Sequence, residues 1–293
     1  MYALVPGAVS GTFISGSGDG TLVRWSLATP DHGELLARTD QGVFSLLPIH
    51  GTDLLLVGGA NGDLRVIDLI QRRETQLLRF HSKGIFRIVA LPYGRLACAG
   101  GDGGLSIWSM SEVNAIDGAF ALRPVRSIPL CEDKLRDLAL SPAGDRLAVA
   151  CGDGTVRVLE TDGFNETNTL AAHDGGANAV AWHPSKPALL TGGKDGHVRV
   201  WNTIEGFREL RSIAAHRSTV YRIAFDADDL RCVTTSRDKT AKLWMADSLE
   251  PMGRMDREHG GHALSVNDAI WIDGDLITAG DDRRVLRWTM NTR

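Results

Sequence analysis

The sequence predicts an all-β fold assembled from one repeated unit, and three observations lead to that prediction. First, 33 of the 293 residues are glycine, and they cluster in short turns. Second, a turn followed by a large apolar residue returns at intervals of 41 to 51 residues. Third, the residues between the turns alternate apolar and polar with a period of two, as half-buried strands do. Seven such units, with four short strands in each, predict a seven-bladed β-propeller.

The repeat is anchored at a polar residue in a tight turn. Residues 15–25 (SGSGDGTLVRW) return as residues 191–201 (TGGKDGHVRVW) and as residues 234–244 (TTSRDKTAKLW). Six positions after each anchor stands a large apolar residue, which is tryptophan in five of the seven units. Seven copies in one phase predict seven equivalent blades. The anchors are Asp19, Asn61, Asp102, Asp153, Asp195, Asp238 and Asp282, and the apolar residues are Trp25, Ile67, Trp108, Leu159, Trp201, Trp244 and Trp288.

Each unit contains four strand-like segments. Val198–Trp201 alternates as a strand does, and the Asp-Gly before it is a hairpin turn in which glycine accepts a positive φ. Three further segments of this kind are Glu209–Ile213, Tyr221–Phe225 and Arg231–Thr235. We therefore expect one domain over residues 1–293, built from four-stranded antiparallel blades. The repeats are placed at about 1–27, 33–69, 75–110, 125–161, 167–203, 209–246 and 252–290.

One interval between anchors is longer than the others, the 51 residues from Asp102 to Asp153. The surplus lies within residues 109–126, where we expect an extended loop on the face opposite the anchors. Such an insertion is compatible with an intact ring, because loop length costs little entropy.

These motifs give the chain a family resemblance. Over essentially all 293 residues it resembles the WD-repeat β-propellers, specifically stand-alone seven-bladed proteins of bacterial type. The resemblance implies a buried hydrogen-bonded set, here called a tetrad, made of a histidine before the innermost strand, a hydroxyl residue, the anchor and the tryptophan. The implied tetrads are His173, Thr191, Asp195 and Trp201 in blade five, His216, Thr234, Asp238 and Trp244 in blade six, and His262, Thr278, Asp282 and Trp288 in blade seven.

Three blades depart from this tetrad pattern. Blade three has His81, Asp102 and Trp108, but Cys98 stands where the hydroxyl residue belongs. Blades two and four have Thr39 and Cys131 at the histidine position and aliphatic residues, Ile67 and Leu159, in place of tryptophan. We therefore expect blades two and four to depend on apolar packing alone.

A Thr–His–Asp set also resembles a nucleophile relay, so a catalytic role must be weighed. Three copies at nearly the same spacing would mean three identical active sites, and the tryptophan N–H occupies the hydroxyl rather than activating it. We therefore expect no catalytic residues. His259 and His262 have a spacing that could suggest a metal site, but His262 belongs to a tetrad and no cysteine or carboxylate stands at ligand spacing from them. We expect neither a metal nor a cofactor.

Composition argues against several classes of protein. The net charge of −4 and the pI near 6.1 argue against nucleic acid as the partner. No apolar run approaches the ~18 residues of a membrane span, and the N-terminal residues lack the features of a secretory signal. Cys98, Cys131, Cys151 and Cys232 form no CxxC pair. We therefore expect a cytoplasmic protein with reduced thiols and no membrane contact.

The resemblance implies a rigid disc that binds partners, and the sequence offers a candidate site around its central channel. Aromatic and arginine residues, which are enriched at interface hot spots, recur there at two equivalent positions. We expect a protein or peptide partner that is acidic with an apolar anchor. Five residues after the tetrad histidine stand Tyr2, Phe44, Phe86, Arg136, Asn178, Tyr221 and Asn267, and just before the anchors stand Lys194, Arg237 and Asp281.

The chain ends raise an alternative role. By phase, residue 2 already belongs to the innermost strand of blade one, and only residues 289–293 follow Trp288. Blade seven is therefore expected to have three strands and an exposed edge, unless the sequence is truncated or a partner strand completes it. The protein would then be either a monomer or a subunit docked in a larger complex through that blade. A small-molecule-binding or hydrolytic propeller is a further alternative, which would need carboxylates or histidines converging on the channel.

Overall fold

The structure is a computed structural model that describes residues 1–114, 119–228 and 230–290. It confirms the predicted seven-bladed β-propeller: six antiparallel sheets have four strands each and the last sheet has three. In every sheet the strands follow one another in chain order. Strands are numbered β1 to β27 along the chain, and the first strand of each blade packs against the first strand of the next, closing a ring around the channel.

Blades one to four account for the first sixteen strands. Blade one is β1 (Ala3–Pro6), β2 (Thr12–Gly16), β3 (Thr21–Ser26) and β4 (Glu34–Arg38). Blade two is β5 (Val43–Pro48), β6 (Leu54–Gly59), β7 (Asp63–Asp68) and β8 (Arg73–Arg79). Blade three is β9 (Ile85–Leu91), β10 (Arg95–Gly100), β11 (Gly104–Asn114) and β12 (Ala119–Pro129). Blade four is β13 (Leu135–Leu140), β14 (Arg146–Cys151), β15 (Thr155–Glu160) and β16 (Glu166–Ala171).

Blades five to seven complete the ring, with one short 3-10 turn at Arg257–His259. Blade five is β17 (Ala177–Trp182), β18 (Ala188–Gly193), β19 (His197–Asn202) and β20 (Arg208–Ala214). Blade six is β21 (Val220–Phe225), β22 (Arg231–Ser236), β23 (Ala241–Met245) and β24 (Pro251–Met255). Blade seven is β25 (Val266–Ile272), β26 (Asp275–Gly280) and β27 (Val285–Trp288), so no strand pairs with the outer edge of β27 among the described residues.

The anchor residues shape the turns between the second and third strands. In blade one, Asp19 Oδ1 accepts hydrogen bonds from the Thr21 backbone N–H at 3.1 Å and from its hydroxyl at 2.7 Å. Gly20 follows with a φ of +83°, and a Cβ there would collide with the carbonyl oxygen of Thr39. The Asp-Gly pair thus fixes the turn against the segment that leads into the next blade.

The hydrophobic core lies between the blades rather than inside any one of them. One cluster, for example, joins Ile14 and Leu22 of blade one to Leu55 and Ile67 of blade two. All four side chains are at most 2% exposed. Since a blade buries its faces against its neighbours, the ring holds the side chains at its centre in a fixed arrangement.

The long interval after Asp102 corrects one expectation. We expected a loop within residues 109–126, but β11 and β12 are 11 residues long each and pair as far as Asn114 and Ala119. The surplus extends a β-hairpin because continued pairing satisfies backbone groups that a loop would leave to solvent. Residues 115–118, at the centre of the expected loop, lie outside the described residues.

Candidate functional site

A cavity of about 290 Å³ opens at the end of the channel where the anchor turns lie, here called the upper mouth. All seven residues predicted from the position after the histidine line it, and so does Asp281. Lys194 and Arg237 are not among its lining residues; both side chains are exposed on anchor turns. The lining residues are Tyr2, Phe44, Phe86, Arg87, Arg136, Asp137, Asn178, Tyr221, Arg222, Asn267, Asp268 and Asp281.

A repeated β-bulge directs these side chains into the mouth. In blade two, Val43 pairs with Gly59 and Ser45 pairs with Gly58, so Phe44 is the extra residue of the innermost strand. The same shift in register sets apart the equivalent residue of blades three to seven. Because a bulge bends the strand and re-aims one side chain, the same backbone device positions the ring residues of blades two to seven.

Aromatic rings form the side of the mouth contributed by blades one to three. Tyr2 meets Phe44 edge to face, with ring centroids 5.3 Å apart. Phe44 stacks on Phe86 at 5.3 Å with an interplanar angle of 16°. From blade four, the Arg136 guanidinium lies over the Phe86 ring, 4.7 Å from its centroid, which is a cation–π contact. Burial lowers the pKa of Arg136, although Tyr221 and Asp133 oppose the shift.

Polar side chains form the opposite side, contributed by blades five to seven. Asn267 Nδ2 donates to Asp281 Oδ1 at 2.7 Å and to the Met1 carbonyl oxygen at 2.9 Å. Asn178 is 5% exposed, and its Nδ2 has no hydrogen-bond partner among the residues that the structure describes. Burial raises the pKa of Tyr221 on this side. The mouth therefore has an aromatic half and a hydrogen-bonding half.

Two arginines and two aspartates cross the channel below the mouth, each one residue after a ring residue. Arg87 Nε lies 2.5 Å from Asp137 Oδ1, and Arg222 lies 3.5 Å from Asp137 and 3.3 Å from Asp268. Burial raises the pKa of Asp268 to about 6, against the opposing charge of Arg87. The sequence analysis did not find this channel cluster, although the charged residues at equivalent positions in four blades were a signal for it.

The opposite end of the channel has a different lining. Its cavity of about 520 Å³ is bordered mainly by apolar side chains, among them Leu140, Trp182, Phe225 and Trp271. Trp182 Nε1 and Trp271 Nε1 donate to backbone carbonyl oxygens at 2.9 and 3.2 Å. Arg222 lines both cavities, so the channel cluster lies between them. Hydrogen-bonding side chains are thus concentrated at the upper mouth.

The structure brings the residues of each implied tetrad together. In blade seven, Trp288 Nε1 donates to Thr278 Oγ1 at 3.0 Å, and that hydroxyl lies 3.0 Å from His262 Nε2. His262 Nδ1 lies 2.9 Å from Asp282 Oδ1. Burial raises the pKa of Asp282, but the hydrogen bonds from His262 and the Ala263 N–H outweigh it and hold that pKa below its usual range. The hydroxyl therefore has two protein partners.

The tetrads of blades five and six have the same geometry. His173 Nε2 lies 2.8 Å from Thr191 Oγ1, and Trp201 Nε1 donates to that hydroxyl at 3.0 Å. The corresponding distances in blade six are 2.7 Å from His216 to Thr234 and 2.9 Å from Trp244 to Thr234. Asp195 and Asp238 lie 3.0 and 3.1 Å from the Nδ1 atoms of their histidines. Each set forms a connected polar network that rigidifies its blade.

Comparison with known proteins agrees with this geometry. The model of the WD domain, G-beta repeat family (WD40) matches residues 122–159, 164–202 and 207–245. The chain therefore contains WD40 repeats. Protein hir-1 of Neurospora crassa is 29% identical over 51% of this chain and 16% of its own length. WD repeat-containing protein 1-B of Xenopus laevis is 23% identical over 80% of this chain and 44% of its own length. This WD-repeat chain thus matches less than half the length of each of these relatives.

Solved structures share the fold. A chain of the crystal structure of the mitotic checkpoint complex superposes with a TM-score of 0.81 at 18% identity, over 96% of this chain and 88% of that chain. The WD40 β-propeller domain of Doa1 gives a TM-score of 0.79 at 18% identity, over 97% of this chain and 90% of that chain. At this identity the superpositions establish the common propeller fold.

The three blades that depart from the WD-repeat tetrad all differ from expectation. In blade three, Ser106 supplies the hydroxyl that Cys98 lacks: Trp108 Nε1 donates to it and His81 Nε2 contacts it, both at 2.8 Å. Ser106 reaches the same place because it lies directly opposite Cys98 in the pairing of β10 with β11. A serine in that opposite register was a signal that the sequence analysis did not use.

Blade two does not depend on apolar packing alone, which corrects the expectation for that blade. Arg65, with a side chain 7% exposed, lies 2.5 Å from Asp40, 3.0 Å from Asp63 and 2.7 Å from Glu74. The aliphatic Ile67 leaves no indole N–H to satisfy, so an ion cluster links the strands where the other blades have a tetrad.

Blade four is a weaker case of the same kind. Arg157 lies 3.4 Å from Asp153 and 3.5 Å from Glu166, with 23% of its side chain exposed. Leu159 is fully buried in place of tryptophan. Apolar packing is therefore accompanied by ion pairs in this blade as well. Among the residues that the structure describes, no three His, Cys, Asp or Glu side chains group as metal ligands, and no helix is long and apolar enough to cross a membrane.

Proposed function

We propose that this protein is a non-catalytic interaction module that captures a protein or peptide at the upper mouth. The observation that carries the proposal is the mouth itself, a cavity to which side chains of all seven blades contribute. Only a ring in which every blade is in place assembles this surface. The proposal suits a WD-repeat propeller, since relatives of this fold typically bind proteins.

The chemistry of the mouth favours a partner with an apolar anchor. Tyr2 remains 41% exposed, and Phe44 and Phe86 are half-buried, so aromatic surface is available at a concave site. Aromatic side chains and arginine are the residue types that dominate binding energy at interfaces. The exposed side chains of Lys194 and Arg237, on neighbouring anchor turns, would attract an acidic partner at long range.

Bound hydroxyls and paired charges support the non-catalytic assignment. The hydroxyl of each tetrad contacts both the tryptophan and the histidine, so it is not poised as a nucleophile. In the channel cluster, Asp137 and Asp268 face arginine side chains. A net charge of −4 supports a protein rather than nucleic acid as the partner, and four free cysteines support a cytoplasmic location.

Peptide selection tests the proposed site directly. A displayed library of random peptides is panned against the wild-type protein, and the enriched peptides are titrated against the Phe86→Ala and Arg237→Glu variants. We expect Phe86→Ala to accelerate dissociation independently of salt, because it removes buried apolar contact. We expect Arg237→Glu to slow association, with raised salt reproducing part of the effect.

The matched control is Tyr93→Ala. Tyr93 is 88% exposed and lies in the turn at the other end of β9 from Phe86, so it is an aromatic residue on the opposite face. Unfolding curves establish that each variant is folded. Selected peptides that bind the two mouth variants as tightly as the wild type would show that the mouth is not the site.

A second candidate function follows from the open edge of blade seven. Within the described part of the chain, the outer edge of β27 has no paired strand, and an exposed edge can accept a strand from another chain. The protein would then be a subunit docked through Val285–Trp288. Binding that is lost in Leu286→Lys but retained in Phe86→Ala would favour this candidate over the mouth.

A further inference from the structure

Two hydrogen-bond donors in the upper mouth have no acceptor among the residues that the structure describes. Only 5% of Asn178 is exposed, yet its Nδ2 has no hydrogen-bond partner among the described residues. Arg136 holds the equivalent position one blade earlier; it stacks on Phe86, and within the described ranges no carboxylate lies at ion-pair distance from it. An unpaired buried amide is unfavourable and calls for an explanation. Both donors line the same cavity.

The other charged groups of the cavity have partners. Arg87 pairs with Asp137 at 2.5 Å, and Arg222 pairs with Asp268 at 3.3 Å. Asp281 accepts a hydrogen bond from Asn267 at 2.7 Å. The cavity lining contains three arginines and three aspartates, so its formal charge is balanced. The unanswered donors therefore mark one local site rather than a generally basic surface.

We propose that Arg136 and Asn178 together bind a carboxylate of the captured segment, while an apolar side chain beside that carboxylate packs on Phe44 and Phe86. The inference rests on the proposed function, since it names the chemical group that the upper mouth recognises. Guanidinium and amide N–H groups are both donors, and a carboxylate is an acceptor with two oxygens. A single unpaired arginine suits this monoanion better than it suits a phosphate dianion.

The channel cluster limits how the ligand enters. Ion pairs run from Arg87 of blade three through Asp137 and Arg222 to Asp268 of blade seven, directly below the two donors. Arg222 lines the cavities at both ends of the channel, so these ion pairs lie between them, and we take the ligand to enter the upper mouth as a side chain or a chain end. The carboxylate can therefore belong to an acidic side chain or to a C-terminus, and the two sources are separated by experiment.

The test uses small probes and NMR of the full-length protein. The probes are 3-phenylpropanoate, its neutral analogue 3-phenylpropanamide, and phenyl phosphate. The side-chain amide resonances of Asn178 are assigned by their loss in Asn178→Ala. We expect 3-phenylpropanoate to shift these resonances and the neutral amide to bind at least about tenfold more weakly. Arg136→Gln should weaken carboxylate binding by a similar factor, whereas Arg208→Gln, on the outer strand β20, should not.

A second pair of probes separates the sources of the carboxylate. Acetyl-Gly-Phe with a free C-terminus carries only an α-carboxylate, and acetyl-Glu-Phe-amide carries only a side-chain carboxylate. Stronger binding of either probe, dependent on Arg136, supports the inference and identifies the source.

Other outcomes overturn the inference. Equal binding of 3-phenylpropanoate and its amide would show that the mouth recognises only the apolar part of the probe. That outcome would contradict carboxylate recognition but not the proposed function. Tighter binding of phenyl phosphate than of 3-phenylpropanoate would show that the site recognises a phosphate rather than a carboxylate. If no probe shifts the Asn178 resonances, carboxylate recognition fails, whereas the peptide selection decides the proposed function separately.

Discussion

Blade seven and blade two fill equivalent places in the ring with different chemistry. In blade seven the buried Thr278 hydroxyl joins Trp288 to His262, and His262 reaches Asp282 at 2.9 Å. The network connects the segment before the blade to its second and third strands. It depends on every member, because removing one leaves its neighbours without a partner.

Blade two replaces this network by an aliphatic pair and an ion cluster. Ile67 stands at the tryptophan position and Val57 at the hydroxyl position, and both are buried. Arg65, two residues before Ile67, reaches Asp40 in the segment before the blade and Glu74 on its outer strand. Blade two has thus lost the tryptophan and the hydroxyl together, since either one alone would leave a buried polar group unsatisfied.

The largest expected effect comes from breaking the cluster of blade two. Arg65→Ala leaves the Asp63 carboxylate, with a side chain 5% exposed, without its close cation at 3.0 Å. Removing one partner of a buried pair costs about 3–5 kcal/mol, so we expect a loss of that size in the free energy of unfolding. Denaturation in urea, followed by tryptophan fluorescence, measures it.

The control for Arg65→Ala is an arginine of blade one. Arg24 lies 3.5 Å from Glu34 and both side chains are well exposed, so Arg24→Ala should cost no more than about 1 kcal/mol. The double variant Arg65→Met, Asp63→Asn should recover part of the loss, because it removes both buried charges. If Arg65→Ala were no less stable than Arg24→Ala, blade two would depend on apolar packing after all.

A smaller effect is expected in blade three, where the hydroxyl comes from the opposite strand. Ser106→Ala removes the acceptor of the Trp108 indole and the partner of His81, both of which lie at 2.8 Å. We expect a loss of about 1–3 kcal/mol in the free energy of unfolding. Adding Cys98→Thr to Ser106→Ala returns a hydroxyl to the position used in blades five to seven and should restore part of the stability. No gain from that second change would mean that blade three cannot adopt the common tetrad.

The ring residues could be predicted from sequence because they obey a local rule. Phe44 and Tyr221 stand at a fixed distance before their anchors, and the repeated bulge gives each such residue the same direction. Arg87 and Asp137 also stand at equivalent positions, each one residue after a ring residue, but their pairing could not be read from that spacing because it joins side chains of two blades. The role of Ser106 was missed because finding it requires the strand register and not the spacing from the anchor.

The smallest expected effect distinguishes the carboxylate of a tetrad from one of the channel cluster by the sign of its pH dependence. Hydrogen bonds from His262 and the Ala263 N–H hold the pKa of Asp282 low despite burial, so its contribution to stability is present above its unfolded pKa and is lost as pH falls. Burial raises the pKa of Asp268 to about 6, so its contribution is present at low pH and is lost as pH rises through 6. Between pH 3 and pH 7 the two carboxyl groups should therefore change the melting temperature in opposite directions.

Asp282→Asn should flatten the fall in melting temperature below pH 5, because an amide does not titrate. Blade two already has asparagine, Asn61, at the equivalent position. Asp268→Asn should instead reduce the decline between about pH 4 and pH 6. Parallel curves for the two variants would show that tetrad and channel carboxylates occupy equivalent environments, against the geometry of both.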